Sequence, residues 1–295
     1  MPPSVCNRTS GAVRWVHIPK AGSSFATTIW AYGCPALPLS LTSRLKLNKN
    51  NNITEIKAIG QAQRKDKCPC LIGTVEYTFH HGALPLEQVA KAVCIFREPI
   101  SRLVSAFHFN LHIHRMVAST HLRLRKEIDA LLATGNRTAA LLRFARVPGV
   151  LHTQTRMVMN RQPMDHQDKV PSARLTALAC ERVRKMRFVG LIECFAESVA
   201  LFRRGFPAGY AADQTRYRVG SDPEQHALDL QLIRAQGLHD KQDETVYRVA
   251  ATRFQADLRP SAIVPQSDGQ CAHALDEWAS TKIGPATGVV ADRLL

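Results

Sequence analysis

Aromatic side chains are scarce, only 6% of the 295 residues. Single-stranded nucleic acid is held on exposed rings, so the shortage argues against a nucleic-acid partner. Long apolar runs are missing too. No stretch of 18 apolar residues occurs, which excludes a membrane-spanning helix within this sequence. Met1 to Ser10 lacks the basic-then-apolar pattern of a signal peptide, so any membrane anchor is expected outside the sequence. Acidic residues are few: 24 Asp and Glu stand against 39 Lys and Arg, a formal charge of +15. That excess suits either a polyanionic partner or a basic, solvated surface. A second tight cysteine pair is also lacking. Cys68-Pro-Cys70 stands alone, whereas structural zinc sites need two such pairs, so no metal is expected.

Apolar residues are not scarce. At 45% hydrophobic the chain can fill a core, and global disorder is excluded. Eight cysteines permit disulfides without specifying them. Sequons at Asn7, Asn52 and Asn136 give mild support for a secretory compartment. Strands are expected at Ala12–Ile18, Leu71–Phe79, Ala92–Phe96 and Arg187–Leu191. Helices are expected at Phe25–Tyr32, Pro99–Phe109, His121–Leu132, Arg137–Phe144, Val150–Met159, Ser172–Lys185, Glu193–Arg204, Gln225–Ala235 and Asp240–Leu258. The polar stretch Leu39–Lys67 reads as a surface insertion. Residues 1–258 form the expected domain, and 259–295 an irregular tail. Strands alternating with helices argue for a parallel sheet with helices packed over it.

Two segments carry chemistry. In His17-Ile-Pro-Lys-Ala-Gly-Ser-Ser24 a small-residue loop joins a strand to a helix, where backbone N–H groups and the helix dipole favour an anion. Lys20 supplies a point charge, Ser23 and Ser24 supply hydroxyl donors, and Gly22 allows close backbone approach. Alone, the loop could equally be an ordinary turn. In Arg97-Glu-Pro-Ile-Ser-Arg-Leu-Val-Ser105, Arg97 closes a strand and Ser105 lies inside the next helix. Arg97 can grip a phosphate with its fork while Ser105 donates. Arg102 is placed to assist or to pair with Glu98 four residues earlier.

Together and in this order, the segments resemble the cofactor motifs of sulfotransferases that use 3′-phosphoadenosine 5′-phosphosulfate (PAPS), above all the Golgi-type carbohydrate group. Gln154-Thr-Arg and Phe188-Val-Gly-Leu-Ile-Glu-Cys-Phe-Ala-Glu-Ser198 are similar to two further stretches of that family. Ala21, Ser23 and Ile192 depart from its usual Thr, Gly and Thr. The resemblance implies an α/β fold: a P-loop-like three-layer α/β/α domain with a central parallel sheet. It implies PAPS bound by Lys20, Ala21, Gly22, Ser23 and Ser24 at the 5′ end and by Arg97 and Ser105 at the 3′-phosphate. It further implies a carbohydrate or glycan acceptor and a Golgi-lumenal site reached through an anchor.

Transfer to a hydroxyl needs a base, and an imidazole with an ordinary pKa near ~6.5 suits neutral pH. His81, after the Leu71–Phe79 strand, is the expected base, with His80 as the competing register. Lys20 has a second expected role, stabilising the departing oxygen. His108, His112 and His114 read as helix-surface residues or acceptor-groove contacts. Two other readings remain open. A P-loop kinase shares the layout but needs Gly-Lys-Ser/Thr, which is absent here. A non-catalytic polyanion binder would use only the basic face.

Overall fold

The computed structural model describes residues 12–21, 25–33, 86–109, 111, 118–159, 170–206, 222–261, 263 and 269–279. Within them lies a parallel sheet of three strands, β1 (Arg14–Val16), β2 (Ala92–Phe96) and β3 (Phe188–Leu191), in that spatial order. Trp15 pairs with Val93, and Cys94 with Val189. Helices supply most of the rest: α1 (Ala26–Gly33), α2 (Pro99–His108), α3 (Ala118–Ala133), α4 (Arg137–Ala145), α5 (Thr153–Val158), α6 (Ala173–Lys185), α7 (Phe195–Gly205), α8 (Pro223–Ala235), α9 (Lys241–Leu258) and α10 (Gln270–Ala279). The fold is α/β, dominated by helix. None of the described helices is long and apolar enough to cross a membrane.

Every residue of β2 is buried, as befits a central strand covered on both faces. Period-two alternation divides its side chains. Ala92, Cys94 and Phe96 enter a core with Val183, Val246, Ala250 and Phe254 from α6 and α9. Val93 and Ile95 face the opposite way, into a core with Phe25, Ile29 and Phe202. A third cluster, with Leu103, Phe107, Ile128, Leu141, Phe144 and Ile233, joins α2, α3, α4 and α8 beside the sheet.

Local chemistry sets the helix starts. Pro99 opens α2, where its fixed φ suits the helix and its missing N–H costs nothing. Glu98 caps it, accepting from the Ile100 and Ser101 amides at 3.2 and 2.5 Å. Asn136, Ser172 and Asp240 cap α4, α6 and α9 in the same way.

One expectation is corrected. The stretch from 259 onward is not irregular throughout, because α10 occupies Gln270–Ala279. Cys271, Ala274, Leu275 and Trp278 repeat at helical spacing and are buried. The Trp278 ring meets Tyr247 of α9 edge-on at 5.3 Å between centroids. A disulfide joins Cys271 to Cys194 at the start of α7. Cys94 and Cys180 are buried free thiols. The expected Leu71–Phe79 strand and the Leu39–Lys67 insertion lie outside the described residues.

Candidate functional site

Three parallel strands point their carboxyl ends the same way, and the residues that follow them meet. Open parallel sheets bind ligands at this edge. After β1 the chain turns at Ile18, whose carbonyl accepts from the Ala21 amide at 3.1 Å. Lys20 takes a left-handed backbone, φ 67°, a conformation uncommon outside glycine. After β2, Arg97 reaches across 77 residues of sequence, its Nη1 donating to the Lys20 carbonyl at 3.3 Å. The two motifs therefore share one place. Ala21 is buried. The Lys20 ammonium lies 3.7 Å from the centroid of the Phe109 ring, at the far end of α2.

The backbone of Arg97 is held by Gln154, in the first turn of α5. The Arg97 amide donates to Gln154 Oε1 at 3.2 Å, and Gln154 Nε2 donates to the Arg97 carbonyl at 2.9 Å. Gln154 is in turn fixed from below. The Asp243 carboxylate accepts from the Gln154 and Thr155 amides and from Thr155 Oγ1, at 2.8–2.9 Å. Gln154, Thr155 and Asp243 are all fully buried. Burial first, and the Asp240 charge second, push the Asp243 carboxyl up to about 6, against the pull of Arg102 and those amides. Asp240 also accepts from His152 Nδ1, at 2.7 Å.

Beyond β3, Glu193 plays a comparable part for the next residue. Its Oε1 accepts from the Glu98 amide at 3.0 Å, and its Oε2 from the Tyr247 hydroxyl at 2.8 Å. Gly190 of β3 allows this edge to pack. A Cβ there would sit 2.3 Å from Ile95 Cδ1 and 3.0 Å from Ser198, whose hydroxyl bridges to both the amide and the carbonyl of Leu191.

The part-buried guanidinium of Arg97 also meets α2 and α8. Its Nε donates to Ser101 Oγ at 3.0 Å, and its Nη2 lies 3.4 Å from Nε2 of His226. Ser101 Oγ is 3.3 Å from that same nitrogen. Ser105, the serine named from the sequence, lies one helical turn further on the same face as Ser101. Ser101 is the hydroxyl in contact with Arg97 among the described residues.

Two readings of α2 are corrected. Arg102 does not pair with Glu98. It is buried, its Nη2 donates to the Val150 carbonyl, and the Asp240 and Asp243 charges offset its desolvation. Glu98 instead caps the helix and lies 3.5 Å from Arg234. His108 is not a surface residue either. Its Nε2 is 2.6 Å from Asp229 of α8, a buried carboxylate that also takes Arg137 in a two-pronged bond and Gln225 at 3.0 Å. Burial works to raise the Asp229 carboxyl, and the bonds from Arg137 and His108 outweigh it and hold it below its ordinary value.

Gly22, Ser23, Ser24, His80, His81, His112 and His114 lie outside the described residues. Among those described, one trio has metal-ligand spacing, Cys194, Glu197 and Cys271, but its sulfurs are spent on each other in the disulfide. No protein-family model, curated protein or solved structure matches the chain.

Proposed function

We propose that the chain is a PAPS-dependent sulfotransferase acting on a hydroxyl of a carbohydrate or glycan. The observation that carries this reading is the bond from Arg97 to the Lys20 carbonyl. It unites, at the carboxyl edge of a parallel sheet, the two segments that resemble the family's 5′ and 3′ cofactor motifs. Helices on both faces of that sheet support the P-loop-like three-layer layout. The disulfide supports folding in an oxidising compartment such as the Golgi lumen.

In this reading the Lys20–Ser24 loop holds the 5′ end of the donor, and Arg97 with Ser105 holds the 3′-phosphate. The donor supplies the sulfuryl group. Lys20 moves from the Phe109 ring to the oxygen that gains charge as the donor departs. An ammonium there stabilises the transition state more than the ground state. His81 takes the acceptor proton. The chain's formal charge of +15 is compatible with an acceptor that is itself anionic.

The test is transfer of label from PAPS to a panel of desulfated glycans, with nucleotide affinity measured in parallel. Arg97→Ala should weaken binding of 3′-phosphoadenosine 5′-phosphate by about 10- to 100-fold, the loss of one charge-assisted contact. His81→Ala should lower kcat by ~10²–10⁴ with nucleotide affinity nearly intact. Unchanged affinity in Arg97→Ala, or transfer from ATP in place of PAPS, refutes the reading.

A further inference from the structure

Among the described residues, Phe96 and Leu191 are the last register pair of β2 and β3, and Arg97 stands one residue beyond it. The helix that follows does not take up the Arg97 carbonyl in the usual way. The Ser101 amide, four residues on, donates instead to Glu98 Oε2 at 2.5 Å. Gln154 fills the place of a strand neighbour. A carboxamide carries an acceptor and a donor side by side, much as a backbone peptide does. That of Gln154 meets the amide and the carbonyl of Arg97 at once, at 3.2 and 2.9 Å. The two bonds fix both peptide planes that flank the Arg97 Cα, and with them the direction in which the guanidinium sets out.

We propose that Gln154 is a positioning residue for the anion held by Arg97, with Asp243 as its anchor. The identification of that anion with the donor's 3′-phosphate rests on the sulfotransferase reading. Gln154 touches no ligand in this scheme. It acts through Arg97, by setting where the guanidinium fork stands. A fork makes two parallel bonds to a phosphate only when its plane is aimed, so a looser Arg97 backbone weakens binding without removing a charge. The support behind Gln154 suits that role. The helix α5 is six residues long and buried throughout, too short to persist on its own propensity. Its start is held by carboxylates of the α9 N-terminus. The His152 amide donates to Asp240 at 2.7 Å, and the Gln154 and Thr155 amides donate to Asp243 at 2.9 and 2.8 Å. Gln154 and Asp243 are both 0% exposed, so bulk water does not compete for these bonds.

The test compares the affinities of 3′-phosphoadenosine 5′-phosphate and adenosine 5′-phosphate, which lacks the 3′-phosphate, by calorimetry on the full chain. Gln154→Met keeps the side chain's length and removes both bonds. It should narrow the preference for the 3′-phosphate by about ten-fold and leave adenosine 5′-phosphate within about two-fold. The double variant Arg97→Ala with Gln154→Met should be no worse than Arg97→Ala alone, because the two act as a unit. Asp243→Asn turns a donor toward the Gln154 amide without emptying space, and should move the preference the same way by a smaller factor; it carries the test if Gln154→Met does not fold. Ser172→Ala, which loses the α6 cap, should lower the thermal midpoint and keep the wild-type preference. Equal losses for both nucleotides, or losses that add to those of Arg97→Ala, overturn the positioning role and leave the donor reading standing. A wild type with no preference for the 3′-phosphate overturns the donor reading, and pyrophosphate then decides the positioning role. Pyrophosphate binding that falls in Arg97→Ala and in Gln154→Met, without adding in the double variant, keeps it. Pyrophosphate binding indifferent to Gln154, or no anion bound through Arg97, overturns it.

Discussion

Asp243 is a single buried carboxyl on which the geometry of Arg97 depends, through Gln154. Its pKa is pushed up to about 6 in the folded chain, whereas an unfolded Asp titrates near ~3.9. The folded state therefore holds this proton more tightly. The stabilising contribution is fully present below about pH 4 and is lost as the pH rises through about 6. Asp243→Asn cannot titrate, so it serves as the reference. Between pH 7 and pH 5 the wild type should gain stability over Asp243→Asn by on the order of 1 kcal/mol. Thermal midpoints of both proteins across that range check it, and a gap that does not change with pH contradicts it. The same residue shows what a sequence conceals. Asp243 reads there as one acidic residue in the first turn of a helix, where carboxylates are common. Its partners lie 88 and 89 positions away, and no local pattern announces them. The sequence hides the partners of His108 and Arg102 for the same reason. Their spacing along α2 is legible, but Asp229 and Val150 are distant in sequence. His226 carried no signal at all in the sequence, being one histidine in a polar segment.

Elements were far more legible than contacts. Ala92–Phe96 matches its expected bounds, because an apolar run closed by Arg-Glu-Pro admits little else. Pro99, Ser172 and Asp240 mark helix starts by chemistry that acts within three residues. The helix α10 escaped because it is short and its apolar face needs a partner to be recognised. That partner is α9, with the disulfide to Cys194 as the tether. Eight cysteines allow too many pairings for sequence to choose this one. A bridge across 77 residues removes enough freedom from the unfolded chain to be worth about 4 kcal/mol in the chain-entropy view. Cys271→Ala should then lower the thermal midpoint by on the order of 10 °C. A scan of the oxidised wild type beside the variant checks this. Equal midpoints would mean that packing of Leu275 and Trp278 alone holds α10.

At the scale of the whole molecule, the sequons meet the fold at Asn136. Asn7 and Asn52 lie outside the described residues. Asn136 is exposed and caps α4 through its Oδ1, which accepts from the Ala139 amide at 3.1 Å. A glycan attaches through the other side-chain atom, Nδ2, so the cap and the sugar are compatible. Expressed in a secretory host, the chain should lose mass on glycosidase treatment, and Asn136→Gln should lose one step of that shift. A wild type and a variant of identical mobility before and after treatment would refute glycosylation at this position. The Cys194–Cys271 bridge has a different kind of consequence. It closes a covalent ring that contains α7, α8 and α9, and with them His226, Asp240 and Asp243. Lys20, Arg97 and Gln154 sit on the arm that leads into the ring. A protease that nicks the chain once anywhere between residues 195 and 270 opens the ring without freeing a fragment. Gln154 and the Asp243 that fixes it stay leashed to each other until a reductant cuts the second strand of the loop.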